Sequence, residues 1–342
     1  MELNSADIER IRKMPMNFVV GKERSGTTLL QVILNAHPNI VAPPESRFIV
    51  LLYNRYGAIK QWSEKNVLDF CNDLFREGLF KNQWGMDKLK LRDSLLSVKD
   101  SLSYPLLCKI IFIQWGGEGK DVKMIFDKNP VYYYFLPKLE MIFPEANFIH
   151  IVRDYRANIV SHQRVFKIKR AADLAYRWLK IDELIEKSKL RKVGRYFTLK
   201  YETLVLEPES SIKSMCEFFG IPFSENMVKD HTSHIYSTFN ENKRERFREM
   251  HRSLFTPMNV AHVDEWREKL SPDEVREAEA VAGEYGKVKY NYPIISAKPL
   301  KLNILKVGVI KIKFVLIKIA YKVIFSKLAL YYFIRWKVWR DF

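Results

Sequence analysis

The 342-residue sequence predicts an α/β fold: a P-loop-type parallel sheet covered by helices on both faces, followed by a C-terminal helical extension. Three observations carry this. Apolar, β-branched or aromatic runs alternate with helical stretches, the pattern of a parallel sheet buried on both faces. A glycine-rich loop, Gly21-Lys-Glu-Arg-Ser-Gly-Thr-Thr28, stands between the first such run and the first helix. Five runs end in polar or charged residues, which a parallel sheet gathers at the carboxyl edge where ligands bind.

In chain order, strands are expected at 17–21, 39–46 (cut off by Pro43 and Pro44), 122–128, 146–154 and 195–202. A helix at 27–36 follows the loop. A helical insertion fills about 54–116, and a long helix lies near 171–188. Ser271 as N-cap, Pro272 at the first position and Glu274 as the capping-box partner start a late helix. Residues 1–297 read as one domain and 298–342 as a basic, aromatic-rich helical tail.

Apolar content of 47% and aromatic content of 13% supply a filled core and argue against disorder. Cys71, Cys108 and Cys216 offer neither a disulfide framework nor a zinc spacing, which suits a reducing compartment. The first residues hold no apolar stretch of signal-peptide length, and nowhere do 18 uncharged apolar residues run together. The expected location is the cytoplasm, peripheral at the inner membrane face. Of the net charge of +17, the last 45 residues carry +10, from nine Lys, two Arg and one Asp. The basic excess therefore belongs to the tail, and nucleic acid is not an expected partner.

The loop carries the chemistry. Gly21 and Gly26 let the backbone curl so that N–H groups around Ser25, Thr27 and Thr28 point inward. The following helix N-terminus adds partial positive charge for an anion. Thr27 occupies the position where a nucleotide-hydrolysing P-loop has the lysine that reaches β- and γ-phosphates. The cation is then Arg24, suited to a ligand with a short 5′ chain. After the later strands come Glu45, then Asp127 and Lys128, Arg153 and Asp154, and Tyr201 and Glu202. These residues alone leave three readings open: a transferase, a P-loop kinase with Asp127 on magnesium, and a non-catalytic membrane-associated protein that kept the fold. Plain roles stay open too. Glu45 reads as a solvated turn carboxylate on composition, and Arg153, Asp154 and Arg156 as a structural ion-pair cluster.

"GKERSGTTLLQVILNAHPNI" followed by "PPESR", then "DKNP", "IVRDYRANIVSHQR" and "YETLVLEPESSIKSMCEFFGIPF", resemble PAPS-dependent sulfotransferases (PAPS is 3′-phosphoadenosine 5′-phosphosulfate). The motifs are most similar to the branch containing the tyrosylprotein sulfotransferases, and the resemblance spans 18–292. It implies that Gly21, Arg24, Ser25, Gly26, Thr27 and Thr28 hold the 5′-phosphosulfate. It implies that Arg153 and Ser161 hold the 3′-phosphate, with Tyr201 packing near the adenine or bonding to the nucleotide. Glu45 is then the general base for an acceptor hydroxyl, and Lys128 and Arg24 neutralise the leaving phosphate without a metal. Arg47 matches a substrate-contacting arginine, but the position of its companion holds Leu51. Ala42 and Phe126 stand where that branch has cysteines. In "FTPMNV" Thr256 replaces a nucleotide-contacting lysine, with Arg244, Arg246 and Arg252 as candidate substitutes, and Arg164 lies one residue out of register with a family arginine. The expected partner is an acceptor hydroxyl compound, a glycan, glycolipid or other lipid-linked molecule.

Laid on a helix, the tail shows two lysine stripes: Lys311, Lys318 and Lys322 on one, with Lys306, Lys313 and Lys327 nearly opposite. Opposed stripes argue against a single amphipathic face. Snorkelling lysines and an ending rich in Tyr, Trp and Phe favour a membrane surface over a helix docked on the domain with solvated lysines.

Overall fold

Five short runs of buried β-branched and aromatic residues pair side by side in the computed structural model, which describes residues 3–166, 170–229, 260–297, 300 and 304–324. They are β1 (Met16–Val20), β2 (Ile40–Val41), β3 (Met124–Lys128), β4 (Phe148–Val152) and β5 (Tyr196–Lys200), in the order β2-β3-β1-β4-β5. Every pairing is parallel, and the register sets Phe18 of β1 beside Asp127 on one side and Phe148 on the other. The chain leaves β1 outward to β2, returns through β3, then crosses β1 to β4 and β5. The loop after β1 therefore opens between two halves of one carboxyl edge.

The strands alternate faces, as the pleat requires. Phe18 and Val20 join Ile125 and Phe148 in one core, whereas Val19 joins Phe126, Ile149 and Ile151 in another. Helix α1 (Thr27–Asn35) covers the second face. Between β2 and β3 the insertion runs from α2 (Phe48–Tyr56) to α3 (Tyr104–Gly116) and covers the first face. It starts earlier than its sequence suggests because Phe48 to Leu52 are all buried, and an apolar run buried all round shows no helical period. A further layer forms from α4 (Tyr155–Val165), α5 (Ala171–Glu186) and α7 (Pro272–Tyr290), whereas the short α6 (Tyr201–Leu206) next to β5 packs into the second core. The anticipated capping box at Ser271 and Glu274 is formed. Helix α8 (Ile304–Ile324) packs against α5 and the turn Pro130–Tyr134 that follows β3.

Candidate active site

The loop after β1 is shaped by what surrounds its glycines. A Cβ on Gly26, which caps α1 at φ 95°, would stand 2.6 Å from the Tyr201 ring. One on Gly21 would stand 2.3 Å from the Ile151 carbonyl oxygen. Asn158 of α4 holds the loop by donating from Nδ2 to the Glu23 carbonyl at 2.8 Å and to Ser25 Oγ at 3.1 Å. Lys22 and Glu23 turn into the interior as a pair 2.6 Å apart, with Arg177 on the same carboxylate at 2.8 Å. Burial pulls the Lys22 ammonium down to about 8. Although burial opposes it, the Lys22 charge, His162 and Arg177 hold the Glu23 carboxyl well below the usual range. Those two charges are structural.

On the β2–β3 side, Lys128 Nζ donates to Thr28 Oγ1 at 3.4 Å and forms an ion pair with Glu45. Lys128 is 2% exposed, while the Glu45 side chain keeps about a third of its surface open. The segment that brings Glu45 here is fastened twice. Ala42 exchanges two 2.7 Å hydrogen bonds with the Asn35 side chain of α1. Asn129 Nδ2 donates to the Ser46 carbonyl at 2.7 Å. Asp127, one residue before Lys128, points to the opposite face, toward Tyr132 and Cys108. Burial, helped by the Glu45 charge against the opposing Tyr132 hydroxyl and Lys128, lifts its carboxyl to about 8. A carboxyl turned away from the loop does not suit the magnesium ligand of a P-loop kinase.

On the β4–β5 side, Arg153, Ser161 and Tyr201 meet. The Arg153 guanidinium lies 4.4 Å over the Tyr201 ring and reaches the Arg24 carbonyl at 3.4 Å, and its buried Nε has no partner among the described residues. Tyr201 thus contacts Arg153 and Gly26, holding the loop and the arginine together. Arg24 also belongs to this side. The sequence placed its charge at the transferring group beside Lys128, but its Nε donates to Ser161 Oγ at 3.2 Å. Its φ of 70° turns the side chain toward α4 and away from β3. Burial and the charges of Arg153 and Arg164 press the Arg24 guanidinium down to about 10, the signature of cations crowded together. Glu265 balances them in part, 3.5 Å from Arg153 and 2.5 Å from Arg164. His262 and Arg164 keep its carboxyl below the ordinary range against the effect of burial.

Arg156 is separate from this group. It is fully buried, paired with Asp154 at 2.7 Å and Glu279 at 2.9 Å, and stacked 3.8 Å over Trp266. Arg47 stands two residues after Glu45, and its charge acts on Glu77 and on Tyr321 of α8. Leu51 is 2% exposed in the core. Arg244, Arg246, Arg252 and Thr256 lie outside the described residues.

Sequence reasoning missed Asn158, Asn35 and Glu265. Asn158 shares a helix face with Ser161, three residues on, so periodicity contained a signal. Asn35 and Glu265 carried none.

The model of the sulfotransferase family matches residues 15–225. Protein-tyrosine sulfotransferase 1 of Danio rerio is 26% identical over 287 residues, covering 82% of this chain and 73% of the relative. The protein of the same name from Homo sapiens is 26% identical over 288 residues, covering 82% and 70%. Among solved structures, the sulfotransferase domain of the Synechococcus PCC 7002 olefin synthase superposes with a TM-score of 0.52 at 22% identity, covering 78% of this chain and 94% of that one. That likeness concerns the fold.

Proposed function

This chain belongs to the sulfotransferase family and is a sulfotransferase enzyme, and from that premise we propose that it moves a sulfuryl group from PAPS to an acceptor hydroxyl with Glu45 as general base. The observation that carries the reading is the contact of Lys128 with both Thr28 of the phosphate loop and Glu45. One cation thus links the place for the 5′-phosphosulfate to the place for the acceptor. In the reaction the acceptor oxygen attacks sulfur, its proton passes to Glu45, and the sulfur–oxygen bond to the phosphate breaks. Lys128 and the loop N–H groups take up the charge that builds on the leaving phosphate. Arg24, Arg153 and Ser161 hold the 3′-phosphate, where an arginine cluster gives charge-assisted bonds.

This assignment gives the donor a polarity across the sheet. The 5′ end lies toward β3 and the 3′-phosphate toward β4, with the loop between. For the acceptor we propose a glycan or lipid-linked hydroxyl. Leu51 presents no second cation for an acidic peptide, and Arg47 lies beside α8. Three buried, unpaired cysteines support a cytoplasmic placement.

Affinity for 3′-phosphoadenosine 5′-phosphate (PAP), AMP and ATP without magnesium tests the donor assignment. PAP is expected to bind at least about tenfold tighter than AMP in the wild type, a gap of about 1.4 kcal/mol, and Arg153→Ala is expected to abolish the difference. Equal affinity for PAP and AMP in the wild type refutes the assignment. Glu45→Gln is expected to keep PAP affinity while lowering kcat by about 10²–10⁴-fold.

A further inference from the structure

Helix α8 touches the rest of the protein along one stripe. Ile310 and Phe314 are buried, and Tyr321 and Ile324 pack partly buried on the same core. The Phe314 ring lies 5.8 Å from Tyr176, the Tyr321 ring lies 5.1 Å from Tyr134, and Lys313 pairs with Asp173 at 2.8 Å. With 3.6 residues per turn, positions 310, 314, 317, 321 and 324 share this face.

The opposite face is apolar and open. Leu305, Val309, Ile312, Leu316, Ile319 and Val323 are each between 48% and 78% exposed. Lys311, Lys318 and Lys322 run along one edge of that face, and Lys313 stands on the other. Of the two lysine stripes that argued against an amphipathic helix, Lys311, Lys318 and Lys322 form one flank and Lys313 marks the other, with the docked stripe in one gap between them and the exposed apolar face in the other; Lys327 lies outside the described residues. Between Glu284 and Asp341 the sequence contains no Asp or Glu.

An open apolar face of this extent marks an interaction site, and its borders select the partner. We propose that α8 lies in the plane of a membrane bearing anionic lipids, its open apolar face in the headgroup–acyl boundary and Lys311, Lys318 and Lys322 against lipid phosphates. None of the described helices is long and apolar enough to cross a membrane, so the contact is peripheral. A second copy of the chain is the poorer occupant. It would set lysine rows against lysine rows, with no acidic residue on either helix to pair them. Docking is independent of the reaction assigned above, but it bears on that reaction. Through Tyr134 and Tyr321 the helix adjoins the turn that follows Lys128, so the docked surface borders the catalytic edge.

The test is flotation of the full chain with vesicles of phosphatidylserine and phosphatidylcholine, and with phosphatidylcholine alone. The wild type is expected to float with the anionic vesicles and not the neutral ones. The variant Ile312→Asn/Leu316→Asn/Ile319→Asn is expected to lose binding by at least tenfold. The variant Lys311→Ala/Lys318→Ala/Lys322→Ala is expected to weaken it by on the order of 100-fold, at about a factor of five per lysine. Both variants change residues that are exposed or half-buried and lie off the docked stripe, and both are expected to keep the wild-type thermal midpoint and PAP affinity, which separates lost docking from lost folding. Failure to bind anionic vesicles, equal binding to neutral ones, or binding untouched by the apolar variant overturns the proposal. So does a lipid-free dimer in sedimentation velocity that the apolar variant dissolves, which would assign the face to a second copy.

Discussion

Asp127 and Lys128 are neighbours with opposite fates, because successive residues of a strand face opposite sides of the sheet. Lys128 reaches the loop and Glu45, whereas Asp127 is fully buried beside Tyr132 and Cys108 with its carboxyl lifted to about 8. The shift fixes a pH dependence. In the unfolded chain the carboxyl ionises near its ordinary value of 3.8, while the native state keeps its proton until about 8. Between those values the native state binds more protons, so stability falls as pH rises. The contribution is fully present below the ordinary carboxylate range and gone above about pH 8. Asp127→Asn removes the titration, so its thermal midpoint is expected to fall less steeply than the wild type's between pH 5 and 8. Glu77 and Glu202, also raised by burial, add the same slope to both proteins and cancel in the difference. Parallel midpoint curves for the two proteins would refute the burial argument.

Among the elements, the start of α4 shows how one motif serves two ends. The sequence presents Arg153, Asp154 and Arg156 together and supports either an anion site or an ion-pair cluster; the structure builds the cluster from Asp154 and Arg156 and leaves Arg153 at the carboxyl edge beside the loop. Asp154 caps α4, accepting from the Arg156 backbone N–H at 2.8 Å. The Arg156 guanidinium then ties α4 to α7 through Glu279, to the Pro293 carbonyl at 2.7 Å, and to the Trp266 ring. Three residues earlier Arg153 points into the site. Local pattern could not divide them, because the partners that do, Glu265 and Glu279, lie more than 100 residues away and belong to no local period. Arg156→Met leaves Glu279 and Asp154 buried without their cation, and is expected to cost about 3–5 kcal/mol in urea unfolding. Arg153→Ala is expected to cost far less, since Glu265 keeps Arg164 and His262. Equal stability losses in the two variants would contradict this division.

For the whole molecule, the most legible feature was the convergence of strand ends. The parallel sheet follows from the alternation of strands with helices, and the placing of Glu45, Lys128, Arg153 and Tyr201 at one edge from where polar residues interrupt buried runs. What the sequence did not reveal depends on packing between distant segments: the turn of Arg24 toward Ser161, the Asn35 clasp on Ala42, and the face of α8 that is left open. The same convergence has a thermodynamic consequence. The groups proposed to bind the donor's phosphates come from the β1 loop, the end of β3, the end of β4 and α4, so no unfolded or partly folded chain assembles them. PAP should therefore bind the folded state alone and stabilise it by mass action, about 2.7 kcal/mol at a hundredfold excess over its Kd. For a chain of this size that is an upward shift of roughly 3–6 °C in the thermal midpoint. With Arg24, Lys128 and Arg153 as the charges proposed to meet the phosphates, the shift is expected to be the same in EDTA as in magnesium. It is also expected to shrink with added salt, as screening weakens those contacts. A calorimetric midpoint that PAP raises only with magnesium present would assign the phosphate charge to a metal and refute the arginine–lysine arrangement.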